Sequence, residues 1–215
     1  MKGIDFEDIR KTYIDIKEDL SKRISEFSNV WKEKDKKRIL KELIFSIFTP
    51  QSKAEKCWKA VEILEKSGLL EKPDPIKIEE KIRGLVRFHR NKTKYMLEAT
   101  ERFEEIYKII IDENTSTRDK RLWLTKNVKG LGIKEASHFL RNIGLMLEDG
   151  AIIDRHIIRF LEGEENIEKR SKVKLDMNRY LHLERKFIEM AKRLDLKPVE
   201  LDLVIWYKLT GRFFK

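Results

Sequence analysis

Along most of the chain, apolar residues recur every third or fourth position, the spacing that lines one face of an α-helix. Ile9, Tyr13, Ile16, Leu20, Ile24 and Phe27 follow it and predict one long amphipathic helix near the N-terminus. Asp35 stands where it can cap a second helix, whose Ile39, Leu40, Leu43, Ile44, Ile47 and Phe48 form a broad buried face before "TPQS" ends it. Ser52 and Glu55 have the S-x-x-E spacing of a capping box and open a third helix through Trp58, Val61 and Leu64, closed by Gly68. Beyond the loop "KPDP", Ile76 to Gly84 reads as a short helix, and Tyr95, Ala99, Phe103, Ile106 and Ile110 as one long helix.

"DENTSTRD" then reads as a loop, followed by a short helix around Leu122 to Val128 and a Gly-Leu-Gly hinge. A helix from about Ile133 to Asn142 comes next, with Gly144 just past its end. Asp154 heads a short helix through Ile157, Ile158 and Leu161, and Tyr180, Leu183, Phe187, Ala191 and Leu194 mark a further one. Pro198 occupies a first helical position, and Leu201, Val204, Ile205 and Leu209 continue from it. No stretch alternates with the period of a strand, and neither an internal repeat nor a low-complexity linker interrupts the pattern. The expected fold class is all-α. A length of 215 residues suits one domain, or two small lobes sharing a cleft.

Charge narrows the function. The net charge is +10 and 40% of residues are charged, with a pI near 9.5. That surplus favours a polyanionic partner, either nucleic acid or an acidic membrane surface. Mean hydropathy is −0.56, no apolar run approaches the roughly 20 residues of a membrane span, and "MKGIDFEDIRK" has no apolar core of a secretory signal. A membrane-surface protein would show one strongly basic amphipathic face, whereas these helices are two-sided. The single cysteine, Cys57, excludes an intrachain disulfide and argues against a cysteine-ligated metal or iron–sulfur cluster. An intracellular DNA- or RNA-directed protein is the expectation, and richness in Lys, Glu and Ile fits a hyperthermophile.

The hinge "VKGLGIKEASHFLRNIG" carries the chemistry. Helix, Gly-x-Gly, helix is the sequence form of a tight αα-hairpin, in which glycine permits positive φ and close backbone approach. The amides at the mouth of the second helix have no intrahelical acceptor and make a seat for a phosphate. A compact turn without a ligand fits the glycines equally well. Lys134 falls in the first turn, where the helix dipole works against a cation. A free amine there is what Schiff-base catalysis needs, although a surface lysine is the commoner meaning. Lys129, before the first glycine, suits a phosphate contact better than nucleophilic attack. Asp154 in "AIIDRHII" follows twenty residues after Lys134. It is either an N-cap or a carboxylate facing a developing positive charge.

At these residues the chain resembles the HhH-GPD DNA glycosylases. Their hairpin runs roughly L-P-G-V-G-x-K-x-A, and Val128 to Ala136 follows it with Lys129 in place of the proline. "IIDRH" is similar to the family's V-D-x-H motif, which puts the catalytic aspartate on Asp154. "FTPQS" resembles the segment that carries a DNA-intercalating glutamine in related glycosylases, here Gln51. The four-cysteine cluster loop is missing, and the short length and the ending "LTGRFFK" direct the resemblance to the archaeal type-2 8-oxoguanine DNA glycosylase/AP lyases.

The resemblance implies two helical lobes flanking an active-site cleft, with the helix-hairpin-helix at about 122–143. One lobe would be a helical barrel over 36–137, the other 1–35 plus 138–215, formed by both termini. Lys134 would attack C1′ of the extruded 8-oxoguanine nucleotide, Asp154 would stabilise the cationic sugar, and the Schiff base would permit β-elimination. Gly130, Gly132 and Lys129 would hold DNA, with room for a monovalent cation at the hairpin and no redox cofactor or catalytic metal required. Trp206 and Phe88 would stack on the base, and the terminal carboxylate on Lys215 would accept from its N7–H. The partner implied is double-stranded DNA containing 8-oxoguanine or abasic sites, bound by a monomer in archaeal cytoplasm or nucleoid. His89, His138, His156 and Asp149 receive no role. Two alternatives remain at this level: a helix-hairpin-helix glycosylase for another damaged base, and a non-catalytic DNA-binding module, which has no need of Lys134 and Asp154 together.

Overall fold

Short polar side chains set many of the helix starts. In the computed structural model, which describes residues 6–162 and 175–213, all regular structure among the described residues is helical. Eleven helices follow in order: α1 (Phe6–Glu33), α2 (Lys36–Phe48), α3 (Ala54–Lys66), α4 (Pro75–Ile82), α5 (His89–Glu101), α6 (Phe103–Ile111), α7 (Thr117–Asn127), α8 (Ile133–Asn142), α9 (Arg155–Glu162), α10 (Met177–Arg193) and α11 (Pro198–Thr210). Asp35, Asp74, Ser116 and Asp176 accept hydrogen bonds from first-turn amides of α2, α4, α7 and α10. None of these helices is long and apolar enough to cross a membrane.

Three elements differ from the sequence expectation. Ser52 does not cap α3: the N-cap is Lys53, without a side-chain bond, because the Ser52 hydroxyl accepts from Arg87 N–H at 2.9 Å and Lys92 Nζ at 3.1 Å instead. The long helix expected through Tyr95 and Ile110 breaks at Arg102 into α5 and α6. Its guanidinium is drawn onto the carbonyl of Asn127 at 2.9 Å. The helix before the hinge starts at Thr117, inside the expected loop, because Ser116 and Asp119 cap it.

The chain separates into two compact units. The second comprises 30–143; the first comprises 6–29 with 144–162 and 175–213 among the described residues. The division therefore falls at 29/30 and 143/144 rather than at 35/36 and 137/138, since cutting at 138 would split α8 through its buried face. In the second unit α2 is central, packed against α3, α5, α6 and α8, and every residue from Glu42 to Phe48 is buried. The buried Glu42 carboxylate accepts from Asn142 Nδ2 at 3.0 Å and pairs with Arg38 at 3.1 Å, which offsets the cost of its charge in the interior.

In the first unit, Ile9, Leu20, Tyr180, Phe187, Leu201 and Val204 are in the core. The chain enters α9 through the buried segment Ala151–Ile153, whose main chain lacks helical partners. Tyr180 OH donates to Ala151 O at 2.8 Å and accepts from Ile153 N at 3.1 Å, and Glu184 accepts from Ala151 N at 3.0 Å. One helix, α10, thus satisfies the groups that deliver Asp154 to the head of α9.

Gly144 follows α8 with φ 83°, and a Cβ there would come within 2.4 Å of Phe27 O. Gly144→Ala is expected to cost at least about 2 kcal/mol, from overpacking added to left-handed strain. Gly68→Ala has similar φ but open space, and should cost only about 1 kcal/mol. Urea denaturation of both variants measures the difference, and equal losses would show that crowding at Phe27 does not matter.

Candidate active site

The hairpin joins α7 to α8 through Val128–Gly132, closed by a Leu131 N–H bond to Val128 O at 3.2 Å. Its two glycines are there for different reasons. Gly130 has φ 87°, and a Cβ would lie 2.9 Å from the Tyr95 ring, so both backbone and space demand glycine. Gly132 is extended at φ −82° and caps α8 with no side-chain bond, leaving the first amides of α8 without a side-chain acceptor from the cap.

Lys134 is the second residue of α8, and its side chain keeps 34% of its exposure. Its Nζ lies 2.9 Å from Glu135 Oε1. The Glu135 carboxylate turns back toward Gly132, so its negative charge sits at the positive end of α8 and offsets the lysine placed there. Lys129 is exposed and reaches Glu98 at 2.8 Å.

On the same unit, Gln51 and Phe88 sit on two adjacent loops. Both are exposed and both have left-handed backbone, φ 56° and 58°. The Arg87 guanidinium lies 5.2 Å from the Phe88 ring centre. Beneath them is Lys92, 4% exposed, whose Nζ donates to Phe48 O and Pro50 O, each at 2.6 Å, and to Ser52 Oγ. Burial pulls the Lys92 amine down to about 8. The neighbouring Cys57 thiol donates to Phe48 O at 3.2 Å and is pushed up to about 11 by burial.

The first unit carries the remaining candidates. Asp154 is half-buried, and its Oδ1 accepts from His156 N at 2.8 Å and Ile157 N at 2.9 Å, so it is the N-cap of α9. Trp206, half-buried on α11, meets the His156 ring edge-on at 5.9 Å, and its Nε1 is buried without a hydrogen-bond partner. Lys215 lies outside the described residues. The structure thus groups Lys134, Lys129, Gly130, Gly132, Gln51 and Phe88 in one unit, and Asp154 and Trp206 in the other.

Sequence reasoning missed Glu135, Glu184 and Lys92, and it placed Ser52 only as a cap and Tyr180 only as a helix position. For Lys92 a signal exists: it stands four residues before Met96 and seven before Ala99, on the buried face of α5. Nothing in the sequence separates Glu135 from the chain's many other carboxylates.

A Gly-x-Gly hairpin that presents a first-turn lysine, in an all-helical chain, has the architecture of the helix-hairpin-helix DNA glycosylases. Residues 20–196 match the family described as 8-oxoguanine DNA glycosylase. An 8-oxoguanine DNA glycosylase/AP lyase of Fusobacterium nucleatum is 38% identical over 98% of this chain and 97% of its own. The crystal structure of the Methanocaldococcus jannaschii 8-oxoguanine DNA glycosylase superposes with a TM-score of 0.83 at 35% identity, covering 98% of this chain and 95% of that one. A second structure from that organism, in complex with a 15mer DNA containing 8-oxoguanine, gives 0.80 at 34%, covering 96% and 99%. The chain belongs to the 8-oxoguanine DNA glycosylase family. Its relatives span a bacterium and an archaeon.

Lys92 makes stability depend on pH. From about 8 to its ordinary 10.5, the unfolded chain holds a proton that the folded chain has shed, so stability rises with pH across that window. Cys57 opposes this from 9 to about 11, where the folded thiol keeps a proton that the unfolded one loses. Comparing wild type with Lys92→Met isolates the lysine. The stability of wild type relative to the variant should grow between pH 8 and 10, measured by urea denaturation; a difference that shrinks would place the folded lysine above its ordinary value.

Proposed function

We propose that this protein excises 8-oxoguanine from double-stranded DNA and nicks the resulting abasic strand, acting as a monomer wherever the cell's DNA lies. The observation that supports it most is Lys134, held in the first turn of α8 directly beyond a glycine hairpin whose amides suit a DNA phosphate. The damaged nucleotide must leave the helix, because C1′ cannot be approached while the base is stacked.

Nζ of Lys134, as free amine, attacks C1′; the glycosidic bond breaks and the base departs with its electron pair, taking up a proton. The sugar ring opens to an imine between Nζ and C1′. A proton then leaves C2′, the C3′–O bond breaks, and the 3′ phosphate departs with that pair, cutting the strand. Water hydrolyses the imine and frees the lysine. Asp154 is assigned to stabilise positive charge on the sugar. Its Oδ1 already takes two amides, so the carboxylate direction is fixed in advance. Trp206 and Phe88 are assigned to stacking on the extruded base, Gln51 to the space it leaves, and Lys215 to recognition of that base. The scheme uses side chains and water, with a monovalent cation at the hairpin carbonyls as the one ion it accommodates.

Borohydride trapping on a duplex with one 8-oxoguanine tests this, with guanine as control. A covalent adduct that forms only with the lesion and disappears in Lys134→Gln is expected; trapping that persists in the variant would move the nucleophile elsewhere, first to Lys129. Asp154→Asn keeps a good cap, so stability should change by less than about 0.5 kcal/mol, while single-turnover excision falls about 100-fold. Loss of stability and activity in parallel would make Asp154 a cap and nothing more.

A further inference from the structure

We propose that Lys92 is a positioning residue that locks the Phe48–Ser52 segment and the Arg87–Phe88 turn into one rigid DNA-facing edge. The DNA-facing part rests on the function proposed above; the lock itself does not. Helix α2 ends inside the second unit, and its last carbonyls would be buried without partners. Side chains take them instead. Thr49 Oγ1 donates to Ser46 O at 2.9 Å, and Phe48 O accepts from both Cys57 and Lys92.

Lysine is the residue this position requires. Three acceptors converge on one atom, Phe48 O, Pro50 O and Ser52 Oγ, and an ammonium has three donors to match them. Its charge also lies at the negative end of the α2 dipole. A guanidinium would spread its donors over a plane and does not fit a single convergent point.

Two loops are joined through the same group. Ser52 Oγ accepts from Lys92 and also from Arg87 N–H at 2.9 Å, which ties the residue next to Phe88 to the residue next to Gln51. Among the described residues four non-glycine positions have positive φ, and two of them, Gln51 and Phe88, flank this joint. Each such residue costs about 1 kcal/mol or more and persists only where its surroundings hold it. Both side chains point away from the core, and Phe88 keeps 50% of its exposure, unusual for an aromatic of this size. On one braced edge, a strained, exposed amide is suited to entering the base stack without yielding, and a strained, exposed aromatic to meeting the base that leaves it.

The test uses the full-length protein as wild type, Lys92→Met and Ser52→Ala. Hydrogen exchange reads the lock without DNA: the amides of Ser52 and Arg87 should exchange about tenfold faster or more in both variants, with α8 unchanged. Excision from a base-paired 8-oxoguanine duplex should fall at least tenfold further than borohydride trapping at a preformed abasic site, where less stacking must be broken. A 2-aminopurine beside the lesion should lose its unstacking signal in step with excision. Unaltered exchange at both amides, or equal losses on the two duplexes, would overturn the proposal. Ser52→Ala removes one hydroxyl only and carries the comparison if Lys92→Met fails to fold. A wild type inactive on both duplexes sinks the proposed function instead, and exchange still decides the lock.

Discussion

A helix that ends in the interior must find donors for its last carbonyls, and much of the second unit follows from how α2 meets that demand. All of Glu42–Phe48 is buried, so water is not on hand at the C-terminal turn. A lysine threaded up from α5, a thiol from α3 and a threonine of the following residue supply the donors. The arrangement costs the burial of a positive charge, offset by three oxygen partners and the helix dipole. In return the chain leaving α2 is held in a shape that an unsupported loop would abandon, with Gln51 in left-handed backbone at its tip.

Two lysines of this unit stand at opposite kinds of helix end. Lys92 meets the carbonyl end of α2, where its charge is welcome, and is buried there. Lys134 meets the amide end of α8, where its charge is not, and it stays partly exposed and paired with Glu135. The division of roles proposed for the two lysines follows that line. The cation that matches its helix dipole braces the fold; the one that opposes its dipole is the one assigned to chemistry.

In the proposed scheme Asp154 serves as a cap and as a charge-stabilising group at once. Capping fixes Oδ1 against two amides, and the segment before it is anchored by Tyr180 and Glu184. A carboxylate intended to meet a short-lived cation gains from having no freedom left to lose when the cation appears. The choice between cap and catalyst that the motif poses is therefore not a choice between exclusive roles.

Helical periodicity, the caps at Asp35 and Asp154, Pro198 at a first helical position, the Gly130 turn and the placement of Lys134 in a first turn were legible in the sequence, because each depends on residues within about one turn of one another. The hairpin and aspartate motifs carried the family for the same reason. What the sequence could not decide were competitions between distant groups for one partner. Ser52 has the local pattern of a cap, yet its hydroxyl is claimed by Arg87 and Lys92, thirty-five and forty residues away. Arg102 sits in an unbroken helical pattern, yet Asn127 O, twenty-five residues on, draws its guanidinium where the helix breaks. Lys92 looks like one basic residue among many until the end of α2 is folded beside it. Local spacing settles which elements form; which polar group each one satisfies is settled only when tertiary packing removes water and leaves a single partner within reach.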